Sequence, residues 1–267
     1  MAFAEFKFRS KELCRYVPFN MILPNDTNPE VREGNHHYDR EPETLVLLGG
    51  YGNSEISWIY GTHIMDLAAK YNLAVILPAG ENSFYLDGTG KGNTYCRYVG
   101  MELVSYVQRM LNLPAGKEHT FIGGVSMGGF GAIHTGFAYP DTFGKIVGFS
   151  SALIIHDISQ KREGFEDGLG DYGYYRQIFG DLDLLEESSQ NPEIQIKSLK
   201  DKGTELPEIY LTCGVGDPFL EHNRAFYEFL KREEINAIYQ EREGNHDWYF
   251  WDSCLEDSIL WLLKGEI

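Results

Sequence analysis

Short apolar runs recur along the chain, set apart by glycine, proline and polar clusters. Between many of them lie longer stretches whose apolar residues return every three or four positions. The first pattern predicts strands and the second helices. Residues 4–8 and 15–23 alternate apolar and polar positions, which predicts two strands forming an antiparallel lead-in to a sheet. Pro18 lacks a ladder donor and argues for an edge position or a bulge in the second. Runs at 44–48, 73–77, 120–123, 145–150, 208–213 and 236–240 predict further strands, and the continuous ones read as buried on both faces. Helical spacing marks 57–71, 95–111, 127–137, 219–231 and 248–263. Strands alternating with helices imply an α/β fold with a mostly parallel central sheet flanked by helices.

Three stretches fall outside this rhythm. Residues 25–43 are rich in Asn, Glu, Asp and Pro and read as a loop. Residues 81–94 leave the carboxyl end of a strand, which points Phe84 and Tyr85 toward the lining of a pocket. Residues 156–205 carry scattered glycines, many acids, and Tyr172, Tyr174, Tyr175 and Phe179. About 50 residues is short for an independent domain. This segment therefore reads as a partly helical cap inserted into a single domain spanning 1–267. Its aromatic residues suit a cover over the crevice as well as a small core of the cap's own.

The composition narrows the choice of partners. The 267 residues include 40 acidic and 23 basic side chains, a net charge of −17. Such a surface disfavours nucleic acid and anionic membranes. No apolar run is long enough to span a bilayer, and the first ten residues lack the apolar core of a signal peptide. Cys14, Cys96, Cys213 and Cys254 show no Cys-x-x-Cys or metal-ligand spacing and read as free thiols, which suits a reducing, cytoplasmic compartment. His36, His37 and Asp39 lie in a polar loop, where solvent exposure is the expectation rather than a metal. No metal or cofactor is expected.

The chemistry centres on Gly124-Val125-Ser126-Met127-Gly128, a Gly-x-Ser-x-Gly pattern between a predicted strand and a predicted helix. There the serine sits at the apex of a sharp turn with its hydroxyl exposed. Asp217 follows the strand at 208–213, and His246 follows the last strand. In a parallel sheet these positions converge at the carboxyl edge. The order Ser126, Asp217, His246 is that of nucleophile, acid and base in α/β-hydrolases. A second reading of Asp217 is a helix N-cap, and Cys213 reads as core. The Gly49–Gly52 cluster ends a central strand and offers backbone N–H groups. Tyr51, with Met127 after the serine, is the expected pair of oxyanion donors. Gly50, Phe84, Tyr85 and Trp248 complete the candidate pocket.

These stretches carry a resemblance. Arg15–Pro24, Leu47–Asn53 with Trp58, Ile122–Gly131, Phe149–Leu153, Cys213–Asp217 and Gly244–Trp248 resemble the tributyrin esterase/esterase D branch of the α/β-hydrolases, related to feruloyl and acetylxylan esterases. The resemblance implies a cofactor-free serine esterase for short acyl groups, with Ser126, Asp217 and His246 as triad and Tyr51 and Met127 as donors. It also implies a dimer or tetramer in many members. One departure is that Gly49-Gly50 stands where many members have His-Gly, a change that leaves backbone donors in place. The expected partner is a small-molecule ester such as an acylated carbohydrate. Competing readings are a feruloyl esterase, a thioesterase of the S-formylglutathione type, an acyltransferase in which an alcohol resolves the acyl-enzyme, and a non-catalytic binding module. The last would be marked by loss of a triad residue, and all three are present.

Overall fold

The structure, a computed structural model, describes residues 1–264. Its centre is an 8-stranded sheet in the order β1-β2-β4-β3-β5-β6-β7-β8. The strands are β1 (Ala2–Arg9), β2 (Tyr16–Leu23), β3 (Glu43–Leu48), β4 (Leu73–Pro78), β5 (Thr120–Val125), β6 (Lys145–Phe149), β7 (Glu208–Gly214) and β8 (Ala237–Arg242). The first two form an antiparallel hairpin, β2 meets β4 antiparallel, and every remaining pair is parallel.

The runs in the middle of the sheet are continuous because both faces are covered. Val46, Leu48 and Ile122 belong to one core, and their neighbours Leu45, Leu47 and Phe121 belong to the other. The first face is covered by α3 (Val104–Leu111), α4 (Met127–Ala138), α5 (Tyr172–Phe179), α6 (Pro192–Asp201) and α7 (Leu220–Arg232). The second is covered by α1 (Ser57–Gly61), α2 (Ile64–Tyr71) and α8 (Trp248–Lys264). The helix expected over 95–111 forms, with a π-helical turn at Tyr98–Leu103 leading into α3.

Three expectations change. The strand with Pro18 is not at the edge, since β1 lies outside it. Pro18 is tolerated because the β2–β4 register ends at Phe19 opposite Pro78, and beyond it the Ala79 N–H donates to the Pro18 carbonyl (3.5 Å). The helix expected over 57–71 is broken between α1 and α2. Thr62 is extended there; its hydroxyl donates to the Trp58 carbonyl (2.6 Å) and accepts from the Ile64 N–H (3.2 Å). The His63 N–H donates to Asp252 of α8 (2.8 Å). Finally, 25–43 is not plain loop. It holds helical turns at Pro24–Asp26, Pro29–Arg32 and His36–Asp39. Asn28 and Asn35 cap the last two by accepting from Glu30 N–H (3.1 Å) and His37 N–H (3.0 Å), the role short polar side chains play at helix starts.

The segment between β6 and β7 folds onto α4. It contains α5, a 3-10 turn at Leu182–Glu187, and α6. Phe179 of α5 packs beside Phe84 and Phe130. His134 of α4 lies beneath the segment, 4 % exposed, with Nε2 3.1 Å from the Ser189 carbonyl. Burial lowers its pKa from 6.5 to about 4 despite that bond. The folded protein therefore binds fewer protons than the unfolded chain between those values, and stability falls as pH drops through that window. His134→Gln should flatten the fall in denaturant-derived stability between pH 6.5 and about 4, removing a slope of at most about 1.4 kcal/mol per pH unit. An unaltered slope would contradict this account of His134.

Candidate active site

The chain turns sharply where β5 enters α4. β5 lies between β3 and β6, with Leu48 opposite Gly124 and Phe149 opposite Val125. Three strand ends thus reach the carboxyl edge side by side. Ser126 sits at the turn with φ 56° and ψ −117°, a conformation that side-chain-bearing residues seldom adopt. Backbone bonds hold it there. Its N–H donates to the Phe149 carbonyl (2.9 Å), and its carbonyl accepts from Phe130 (3.1 Å) and Ala152 (3.0 Å).

The flanking glycines are needed for space. A Cβ on Gly124 would fall 2.2 Å from the Gly128 carbonyl oxygen, and one on Gly128 would fall 2.3 Å from that of Leu48. Neither glycine has a positive φ; Ser126 itself carries the unusual dihedral.

Two further loops bring the remaining groups to this turn. The turn after β7 and the chain after β8 pair through Val215 N–H to the Arg242 carbonyl (2.9 Å) and Gly216 N–H to the Gly244 carbonyl (2.9 Å). Asp217 and His246 are thereby held together. His246 Nε2 lies 3.0 Å from Ser126 Oγ, and its Nδ1 lies 2.8 Å from Asp217 Oδ2. Phe219 and Trp251 pack edge-on against the imidazole.

The Asp217 side chain is fully buried. Burial alone would raise its pKa, yet the carboxyl titrates below its usual value. Hydrogen bonds from His246, the Phe219 N–H and the Ser150 hydroxyl outweigh the desolvation. The Phe219 N–H bond, 2.8 Å to Oδ1, is of the capping kind. Asp217 thus uses one oxygen to set a turn before α7 and the other to hold His246. Ser150 lies in the Phe149–Leu153 stretch of the resemblance, but no sequence pattern assigned it a role. It accepts from Trp251 Nε1 (3.1 Å), which orients its hydroxyl toward Asp217. Cys213 is buried in β7, and burial pushes its thiol up to about 12, so it is core.

On the other side of Ser126 runs the loop after β3. The Gly50 N–H donates to Asn53 Oδ1 (3.0 Å) and the Gly52 N–H to Asn82 Oδ1 (2.8 Å). Among the described residues no acceptor takes the N–H of Tyr51 between them, nor that of Met127. Met127 opens a helix of 12 residues, whose N-terminus favours negative charge. Gly50 sits against the serine, since a Cβ there would lie 3.4 Å from Ser126 Cβ.

The other candidate pocket residues are placed differently from one another. Phe84 and Tyr85 are each 1 % exposed and pack in the core. Both adopt positive φ, which turns the chain back so that their rings point inward. Phe84 meets Phe130, and Tyr85 exchanges hydrogen bonds with the N–H (3.0 Å) and carbonyl (3.2 Å) of Gly49. Tyr85 therefore supports the loop from behind and does not line it. Trp248 is half-buried between Trp58 and Trp251. Among the described residues no group of His, Cys, Asp and Glu is placed to hold a metal ion, and no helix is long and apolar enough to cross a membrane.

A serine hydroxyl, an imidazole and a buried carboxylate in series, at the edge of a mostly parallel sheet, define a hydrolase of the α/β-hydrolase fold. Residues 10–262 match the family described as "Putative esterase", and the chain belongs to that esterase family. It is 38 % identical to the acetyl esterase of Caldicellulosiruptor saccharolyticus over 99 % of both chains. Its fold matches that of the fluorophosphonate-binding serine hydrolase FphF of Staphylococcus aureus, with a TM-score of 0.84, 24 % identity and 98 % of each chain covered. It also matches the S-formylglutathione hydrolase of Staphylococcus aureus, with a TM-score of 0.82, 24 % identity, and 98 % of this chain and 99 % of that one covered. The resemblance read from the sequence agrees with this membership.

Gly128→Ala tests the steric account of the turn. Its Cβ would meet the backbone oxygens of two consecutive residues, Leu48 at 2.3 Å and Gly49 at 2.6 Å, and backbone cannot rotate away as a side chain can. Overpacking of this kind typically costs about 1–3 kcal/mol. Chemical denaturation should show a loss of at least that size, and a variant as stable as the parent would contradict the account.

Proposed function

We propose that the protein is a serine carboxylesterase that hydrolyses short acyl esters, acetyl to butyryl, through an acyl-enzyme on Ser126. The observation that carries this reading is the continuous hydrogen-bond series Ser126 Oγ–His246–Asp217, with distances of 3.0 and 2.8 Å. The acetyl esterase at 38 % identity supports the choice of a small acyl group.

A serine hydroxyl is a weak nucleophile at neutral pH. His246 Nε2 accepts its proton as Oγ attacks the ester carbonyl carbon. Asp217, ionised and fully buried, keeps the Nδ1 proton in place and stabilises the imidazolium. The carbonyl oxygen becomes negative in the tetrahedral intermediate and takes up the two unpaired amides, Tyr51 and Met127. One such donor is worth about 3–4 kcal/mol in the transition state. His246 then gives its proton to the departing alcohol, which includes the hydroxyl of an acylated sugar. A water molecule enters, His246 deprotonates it, and a second tetrahedral intermediate releases the acid. The segment 156–205 acts as a cap over this site.

kcat and KM should be measured for acetyl, butyryl and octanoyl p-nitrophenyl esters, methyl ferulate and S-formylglutathione. The reading predicts the highest kcat/KM for acetyl and butyryl esters. Asp217→Asn should lower kcat on the order of 10,000-fold, and Ser126→Ala by that much or more. Hydrolysis that persists unchanged in Ser126→Ala would exclude the serine mechanism. A preference for ferulate or the thioester would keep the mechanism and overturn the acyl assignment.

A further inference from the structure

The loop bearing the Tyr51 amide is not fixed by β3 alone. It is tied into a closed circuit with the segment between β6 and β7. The Gly52 N–H donates to Asn82 Oδ1 (2.8 Å), and the Asn82 carbonyl accepts from the Tyr174 hydroxyl (2.6 Å). The Tyr174 ring meets the Tyr51 ring edge-on, with centroids 6.2 Å apart. The Tyr51 hydroxyl donates to the Leu169 carbonyl (2.5 Å), which closes the circuit. Leu169 is held in turn by Asp167, whose Oδ1 accepts from the N–H groups of Leu169 (2.8 Å) and Gly170 (2.9 Å) and whose Oδ2 accepts from the Tyr175 hydroxyl (2.8 Å).

The consequence falls on one peptide plane. The amides of Gly50 and Gly52 are committed to Asn53 and Asn82, so the Tyr51 N–H between them has little freedom to turn. Gly52 has a φ of +73°, a region that glycine enters at little cost. The loop's own dihedral preference therefore does little to hold this geometry. The direction of the Tyr51 N–H is then set by the turn that Asn53 closes onto Gly50, its N–H donating to the Gly50 carbonyl (3.1 Å), together with what grips the loop from outside, and two of those outer grips come from the inserted segment.

We infer that Asn82 and Tyr174 are positioning residues for the oxyanion donor, and that the inserted segment thereby governs the rate of the chemical step. This inference rests on the proposed role of the Tyr51 amide. A donor aimed at the oxyanion acts mainly in the transition state, so loosening it lowers kcat and leaves substrate binding intact. The Tyr174 hydroxyl reaches the loop through Asn82, whose side chain takes the Gly52 N–H, so their effects overlap.

The test uses Asn82→Ala, Tyr174→Phe, their combination, and Tyr51→Phe, which removes one hydroxyl and keeps both ring and amide. Each is assayed for kcat, KM and thermal stability with p-nitrophenyl acetate. Each is also assayed for inhibition by a trifluoromethyl ketone, whose adduct with a serine bears an oxyanion. Each single variant should lose on the order of tenfold in kcat with KM unchanged. Inhibition by the ketone should weaken in proportion, and the double variant should lose less than the product of the singles. Unchanged kcat in Asn82→Ala and Tyr174→Phe, or a loss confined to KM, would overturn the inference. So would ketone inhibition as strong as in the parent. If Asn82→Ala or Tyr174→Phe does not fold, Tyr51→Phe decides by the same criteria. A parent enzyme that the ketone does not inhibit would overturn the esterase mechanism itself and this inference with it. A parent that is inhibited, alongside unaltered variants, would overturn this inference alone.

Discussion

The arrangement at the carboxyl edge depends on one steric condition, the close approach of three backbone segments around Ser126. The end of β3, the end of β5 and the first turn of α4 come so near that a methyl group at Gly124 or Gly128 would enter a neighbouring carbonyl. Because they come so near, Ser126 is forced into a dihedral region it would otherwise avoid. The same approach sets the loop after β3 beside the serine and leaves the Met127 amide at the helix start. The proposed nucleophile and oxyanion donors thus share a single packing constraint, supported from behind by Tyr85 on Gly49.

Electrostatics complete what packing begins. Asp217 is a fully buried carboxylate whose charge is maintained by donors on three sides, and one of these, Ser150, is oriented by Trp251. A buried charge without such partners would neutralise itself by taking a proton. Here the donors hold the Asp217 pKa below the usual value, with Oδ2 2.8 Å from His246 Nδ1. The imidazole is further confined by Phe219 and Trp251, which pack edge-on against it, in addition to its contacts with Asp217 and Ser126.

The sheet was legible because its strands are written as apolar runs that few other structures require, and the meeting of Ser126, Asp217 and His246, the proposed triad, because each follows such a run. Pro18 misled because a missing donor reads as an edge, whereas here the neighbouring strand simply ends before reaching it. The break between α1 and α2 was invisible to periodicity, since the apolar spacing continues through Thr62, and the stop rests on the Thr62 hydroxyl and on the long-range bond from His63 to Asp252 of α8. Phe84 and Tyr85 were placed in a pocket by position in the chain, but positive φ at both turns their rings into the core. Asn82 carried no signal, and Ser150 only its place in the Phe149–Leu153 stretch with no role attached, because their partners are distant in sequence and their residue types are common in loops.

The central claim is that Ser126 carries the acyl group during turnover. The most direct measurement is to quench the enzyme in acid during reaction with p-nitrophenyl acetate, digest it, and locate any acetyl adduct by peptide mass spectrometry. The account predicts acetylation at Ser126, formed in a burst of p-nitrophenol release and absent from Ser126→Ala. Turnover with no adduct and no burst, or an adduct on another residue that persists in Ser126→Ala, would contradict it.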